Sequence, residues 1–197
     1  MASIVKHSDG NTPISADEID ALIPNLSSRL ELNEWERENI IRAERWCFSP
    51  RVLKKFNPLS ETDLRQLHRR MFGATWKWAG TYRCTEKTIG VPVARIANDL
   101  AALPGDVNYW IKETAFPSDE IAIRFHHRLV SIHPFPNGNG RHSRLLADLL
   151  IVKLGGSRFK WGRADLQATS EIRKRYIAAL RCADAGNIKP LLEFARS

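Results

Sequence analysis

The sequence predicts a mainly α-helical fold: a helical bundle carrying one short β-hairpin. Three observations lead there. Apolar residues recur at helical spacing through 119–132 and again through 141–154. Helix-opening pairs, a capping residue followed three positions later by an acid, precede several other apolar runs. Only one stretch, 81–91, is rich in β-formers and closed by turn-tolerant residues.

Taken in order, Ser15-Ala16-Asp17-Glu18 is a capping box that opens a short helix ending before Pro24. Asn33 with Glu36 opens a second helix through Trp35, Ile40, Ile41 and Trp46 to about Phe48. Ser60 with Asp63 opens a third, with Leu64, Leu67, Met71 and Phe72 on its apolar side and Gly73 beyond it. A helix near 93–103 should give way at Pro104, because proline lacks the N–H that the helical ladder needs, and another should follow over 105–114. Thr81–Cys84 and Thr88–Val91, joined by Thr85-Glu86-Lys87, form the hairpin candidate. The acidic start Ser118-Asp119-Glu120 opens a helix burying Ile121, Phe125, Leu129 and Ile132. The next helix has apolar residues on more than one side (Leu145, Leu146, Leu149, Leu150, Leu154), which predicts a central, buried position ending at Gly155-Gly156. A late helix covers about 170–184, and a short one follows Asn187.

The 197 residues suit one globular unit: an N-terminal helical segment over 1–50 and a main body over 51–197. No run is long enough to span a membrane and no apolar leader opens the chain, so a cytoplasmic protein is expected. Cys47, Cys84 and Cys182 are odd in number and far apart, the pattern of separate thiols rather than of disulfides or a zinc site. The net charge of +8 favours polyanions. The basic runs Lys54-Lys55, Arg69-Arg70 and Arg173-Lys174-Arg175 read as solvated helix faces, and no nucleic-acid-binding motif accompanies them. The adjacent His126 and His127 do not face each other on a helix and are not expected to share a metal; His68 and His142 have no assigned role.

The chemistry concentrates in His133-Pro134-Phe135-Pro136-Asn137-Gly138-Asn139-Gly140-Arg141-His142-Ser143-Arg144. Gly138 and Gly140 permit the positive φ angles that turn successive N–H groups into one concavity, with the Asn139 side chain as a further donor. The helix beginning near Arg141 aims its positive end at the same point. Arg141 and Arg144, three apart on that helix, can grip phosphate oxygens together. His133 stands just ahead, where an imidazole can accept a proton near neutral pH. A base beside a polyphosphate cradle suggests transfer of a phosphorus-containing group.

This segment resembles the signature of the Fic family, His-x-Phe-x-Asp/Glu-Gly-Asn-Gly-Arg-x-x-Arg; every defined position matches except the acid, which here is Asn137. The resemblance is strongest over about 60–155, and the asparagine makes the chain similar to a subgroup called mobile mystery protein B. It implies a protein adenylyltransferase that moves AMP from ATP, with Mg²⁺, to a Ser, Thr or Tyr hydroxyl of a target protein. His133 would be the base, Gly138, Asn139, Gly140, Arg141 and Arg144 the phosphate site, and Asn137 an uncharged substitute for the usual metal ligand. The hairpin becomes a flap over the active site, its residues Thr85, Glu86, Lys87, Thr88, Ile89 and Gly90 docking the target chain by strand addition. Ser27 and Glu31 match the spacing of the family's inhibitory helix, whose glutamate pairs with the last signature arginine, here Arg144; Glu34 is the fallback. A cognate antitoxin or regulator is an expected partner. The alternatives are a nucleotide-binding regulatory module with little activity and a phosphotransferase like the Doc toxins.

Overall fold

The computed structural model describes residues 19–162 and 170–197. Through them run eight α-helices and one 3-10 turn: α1 (Arg29–Cys47), α2 (Pro50–Lys55), α3 (Glu61–Phe72), the turn Val93–Arg95, α4 (Ile96–Lys112), α5 (Ser118–Ile132), α6 (Asn139–Lys153), α7 (Ser170–Asp184) and α8 (Lys189–Arg196). The expected capping box at Ser15–Glu18 lies outside the described residues.

Helix α1 starts one turn earlier than the Asn33–Glu36 reading predicts. Ser28 Oγ accepts from the N–H of Glu31, and the Glu31 carboxylate accepts from the N–H of Ser28, so two donors that a helix start leaves orphaned are satisfied. Helix α3 begins as expected, Ser60 Oγ accepting from the N–H of Asp63. The predicted break at Pro104 does not occur: α4 runs through it. Burial of Leu100, Leu103 and Val107 outweighs the roughly 3 kcal/mol that an interior proline costs. Helix α2, with Pro50 at its first position, was not anticipated.

Helix α6 is central, as its many-sided apolar pattern predicts. Leu146, Ala147, Leu149 and Ile151 have no exposure, and α6 packs along α5 and across α3. The buried residues from Leu32 on α1 to Ala195 on α8 form one continuous core. Helix α1 contributes the stripe Leu32, Glu36, Asn39, Ala43 and Cys47 and lies on α3. Two of those five residues are polar, which brings charge to the site described below.

The expected hairpin is not present as a β-ladder: among the described residues no strand pairing joins 81–84 to 88–91. The bonds that would form the ladder go elsewhere. The N–H of Arg83 donates to Pro134 O (2.9 Å) and that of Val91 to Ile132 O (3.3 Å), so both arms dock on the end of α5 rather than on each other. An isolated antiparallel bridge, Leu22 to Trp76, ties the segment before α1 to the turn after α3.

Candidate active site at the start of helix α6

The segment between α5 and α6 is a tight turn held from several directions. His133 caps α5 in the left-handed region (φ 54°, ψ 58°), a conformation that reverses the chain after Ile132. Gly138 takes the left-handed conformation (φ 80°) that starts α6, and a Cβ there would meet the Phe72 ring at 2.5 Å. Gly140 does not share that role. It lies within the helix without a positive φ, and a Cβ on it would make only ordinary contact with Tyr176 Oη at 3.5 Å.

The first bond of the α6 ladder is His142 N–H to Gly138 O, so the N–H groups of Asn139, Gly140 and Arg141 stand ahead of it. No side chain caps them at Gly138. The predicted role of the Asn139 side chain as a phosphate donor is corrected. Its Oδ1 accepts from the N–H of Phe135 (2.9 Å) and its Nδ2 donates to Phe135 O (2.7 Å), so the buried amide spans the turn internally. Its backbone N–H is what faces the cradle.

His68 was missed in the sequence and is a linchpin. The N–H of Gly80 donates to its Nδ1 (3.0 Å), which leaves the proton on Nε2, 3.1 Å from the Asn137 carbonyl. The ring stacks on Phe135 at 3.7 Å between centroids. Burial holds its pKa well below the usual histidine value, so it stays neutral and keeps that tautomer. Its position among Leu64, Leu67, Met71 and Phe72 on the apolar face of α3 was the available signal.

His133 is 4 % exposed, and its pKa is lowered to about 4, mainly by burial, with a contribution from the cations of Arg83 and Lys87. The imidazole is therefore neutral at physiological pH and able to accept a proton. Arg144 lies over the Tyr176 ring (5.5 Å) and its Nε donates to Gly140 O (3.1 Å). Arg141 Nη1 sits 2.6 Å from Glu36 Oε2, and its guanidinium lies over Phe72 (4.8 Å). The other Glu36 oxygen accepts from Trp76 Nε1 at 2.7 Å. The α1 glutamate that reaches a signature arginine is thus Glu36, which sequence reasoning passed over although it falls on the stripe of Leu32, Ala43 and Cys47. Glu31 instead accepts from the N–H and Oγ of Ser27 and from the N–H of Ser28, and Glu34 is exposed.

Asn137 Oδ1 accepts from the N–H of Gly138 at 2.6 Å, and no group of three or more His, Cys, Asp or Glu able to hold a metal occurs among the described residues. His126 and His127 diverge as expected, toward Tyr176 Oη (3.1 Å) and Asp184 (2.7 Å) on α7. His142 is core, with Nε2 2.9 Å from Leu64 O. Thr85, Glu86, Thr88, Ile89 and Gly90 are exposed, while Lys87 is half-buried. The three cysteines are free thiols, and among the described residues no helix is long and apolar enough to cross a membrane.

The structure is a helical bundle that presents an uncapped helix start, a left-handed glycine and two arginines beside a buried histidine. Residues 58–151 match the model of the Fic/DOC family, and the chain belongs to that family. It is 31% identical over 137 residues to a protein adenylyltransferase Fic from Drosophila grimshawi, covering 67% of this chain and 27% of that protein. A protein adenylyltransferase from Caenorhabditis briggsae is 31% identical over 146 residues, 72% of this chain and 27% of its own length. The chain thus spans about a quarter of the length of these curated relatives. Among solved structures, a Fic-1 fragment from C. elegans superposes with a TM-score of 0.69 at 26% identity, over 89% of this chain and 50% of that one. BepC from Bartonella tribocorum, solved with AMPPNP bound, shares the fold at a TM-score of 0.64 and 18% identity, over 92% of this chain and 97% of that one.

Proposed function

We propose that the chain is a protein adenylyltransferase: it transfers AMP from ATP to a Ser, Thr or Tyr hydroxyl of a target protein. The carrying observation is the neutral, buried His133 beside the open start of α6. The relatives named as adenylyltransferases support the reaction class. His133 takes the hydroxyl proton as that oxygen bonds to the α-phosphorus and the bond to pyrophosphate breaks. The N–H groups of Asn139, Gly140 and Arg141 take up charge on the phosphates and the leaving group, in a site ordered before substrate arrives. Arg141 and Arg144 complete the neutralisation.

With Asn137 Oδ1 engaged by Gly138 and no group of three or more His, Cys, Asp or Glu able to hold a metal among the described residues, these residues suit a metal carried in by the nucleotide better than one held by the protein. Mg²⁺ therefore enters as Mg-ATP, part of the substrate, shielding phosphate charge. The loop 81–92 serves as the flap. Its exposed Thr85, Glu86, Thr88, Ile89 and Gly90 offer backbone edges to a target segment, and Lys87 lies near the base.

Helix α1 is the restraint on this reading. Glu36 holds Arg141, so nucleotide phosphates compete with a buried carboxylate for it. A lock between Glu31 and Arg144 would need Glu31 to leave its capping box, and Glu34 would need to turn inward. A cognate regulator that shifts α1 would release the arginine. Incubation with α-labelled ATP and lysate, wild type beside His133→Ala, tests the proposal. Label on protein that vanishes in the variant is expected, and equal labelling by both would contradict it.

A further inference from the structure

The loop over the active site converges on a side chain that neither the signature nor the flap reading assigns. Arg83 is buried, its side chain wholly enclosed. Its Nε donates to the carbonyl of His133 at 2.7 Å, Nη1 to Thr85 O at 3.1 Å, and Nη2 to Val91 O. Its own N–H donates to Pro134 O, and the N–H of Val91 to Ile132 O. Arg83 therefore joins both arms of the loop to the carbonyls of the base and of the residue after it, while Val91 takes the carbonyl before it.

Two features make this more than loop packing. His133 occupies a left-handed conformation without being glycine, which persists only when neighbours impose it. The clamp on its carbonyl and on the following one is such an imposition. Gly90 (φ 103°) lies so close that an added Cβ would meet His133 Cβ at 2.6 Å and Arg83 Nη2 at 2.9 Å, so the loop rests directly on the base. The His133 carbonyl that Arg83 Nε takes is the C-cap of α5, where a helix favours a cation. A guanidinium suits the task because its planar fork serves three acceptors at once; an ammonium is a single point of charge.

We propose that Arg83 is a positioning residue of the transfer reaction, holding His133 in its reactive orientation and fixing the loop edge that receives the target. This rests on the adenylyltransferase reading. Arg83 and Lys87, both from the loop, are the charged groups facing the imidazole.

The test compares the wild-type chain with Arg83→Met and Arg83→Lys by three readouts: AMP-transfer rate, ATP affinity by calorimetry, and the NMR titration of His133 assigned against His133→Ala. In Arg83→Met the rate should fall at least about tenfold with ATP affinity within about twofold, and the His133 midpoint should rise by about one unit as a nearby cation is lost. Arg83→Lys should keep the low midpoint yet still lose rate, because charge remains without the fork. Wild-type rate in Arg83→Lys, or an unmoved midpoint and rate in Arg83→Met, would overturn the proposal. So would failure of both variants to fold, which would make Arg83 purely structural. If wild type transfers no AMP, the adenylyltransferase reading fails by itself; the titration alone then decides whether Arg83 governs His133, an unmoved midpoint overturning that role.

Discussion

Replacing Gly138 by alanine attacks the cradle at a single atom. The residue has φ 80°, where an L side chain costs about 1–2 kcal/mol. The new Cβ would lie 2.5 Å from Phe72 Cζ and 2.6 Å from Cε2. Phe72 is 1 % exposed, and Arg141 covers its ring, so it has little room to retreat. Overpacking of this kind costs about 1–3 kcal/mol, which brings the total to roughly 2–5 kcal/mol. For a chain of this size Tm should drop by about 5–15 °C. The assay is urea denaturation with a double-mutant cycle. Phe72→Leu in the Gly138→Ala background should return the packing part but not the conformational part, giving a coupling of about 1 kcal/mol or more. ATP affinity should fall in both Gly138→Ala forms, since the N–H groups after Gly138 are no longer aimed together. A Gly138→Ala protein within about 0.5 kcal/mol of wild type, with no coupling to Phe72, would refute the reasoning.

Glu36→Gln should raise ATP affinity by releasing Arg141 and should lower stability by about 1–4 kcal/mol, the pair being only partly buried; calorimetry and urea midpoints check both, with Glu31→Gly and Glu34→Gly alongside. Asn137→Asp should lower the Mg²⁺ concentration needed for half-maximal transfer, read from a metal titration, because a charged oxygen joins the phosphates. Acid should destabilise the fold. The pKa values of His68, His126, His133 and His142 are all lowered by burial, to about 3 for His126 and about 4 for His133 and His142. Their contribution is present above pH about 6.5 and lost as pH falls through their folded values. Asp148, whose pKa is raised to about 6 by burial, gains a proton on folding in the same window and offsets one histidine. The lowered histidines outnumber the one raised aspartate, so stability should fall as pH drops below about 6.5; a urea midpoint that does not move between pH 7 and 5 would contradict it.

Much of this was legible in the sequence, for local reasons. Ser60 with Asp63 and the acids after Ser118 mark helix starts, and the leucines of α6 announce a buried helix. The segment from His133 to Arg144 stood out because its glycines and arginines lie next to a histidine in the order that resembles the Fic signature. What stayed hidden depends on contacts between distant segments. Arg83 sits 50 residues from the carbonyl it holds, His68 lies 69 from Asn137, and Glu36 lies 105 from Arg141. The hairpin's ladder is not seen among the described residues; strand propensity cannot reveal that the end of α5 takes the same backbone donors. Asn139 was misplaced because an amide that bonds its own turn and one that faces a ligand look alike in sequence.

The central claim is that His133 and the start of α6 transfer AMP rather than bind nucleotide idly or move phosphate. The most direct measurement is the intact mass of protein modified with Mg-ATP, wild type beside His133→Ala, with parallel α- and γ-labelled ATP. The account predicts an added mass of one AMP per modified hydroxyl, label retained from the α-phosphate only, and no adduct in His133→Ala. An added phosphate with γ-label, or ATP binding without any adduct, would contradict it.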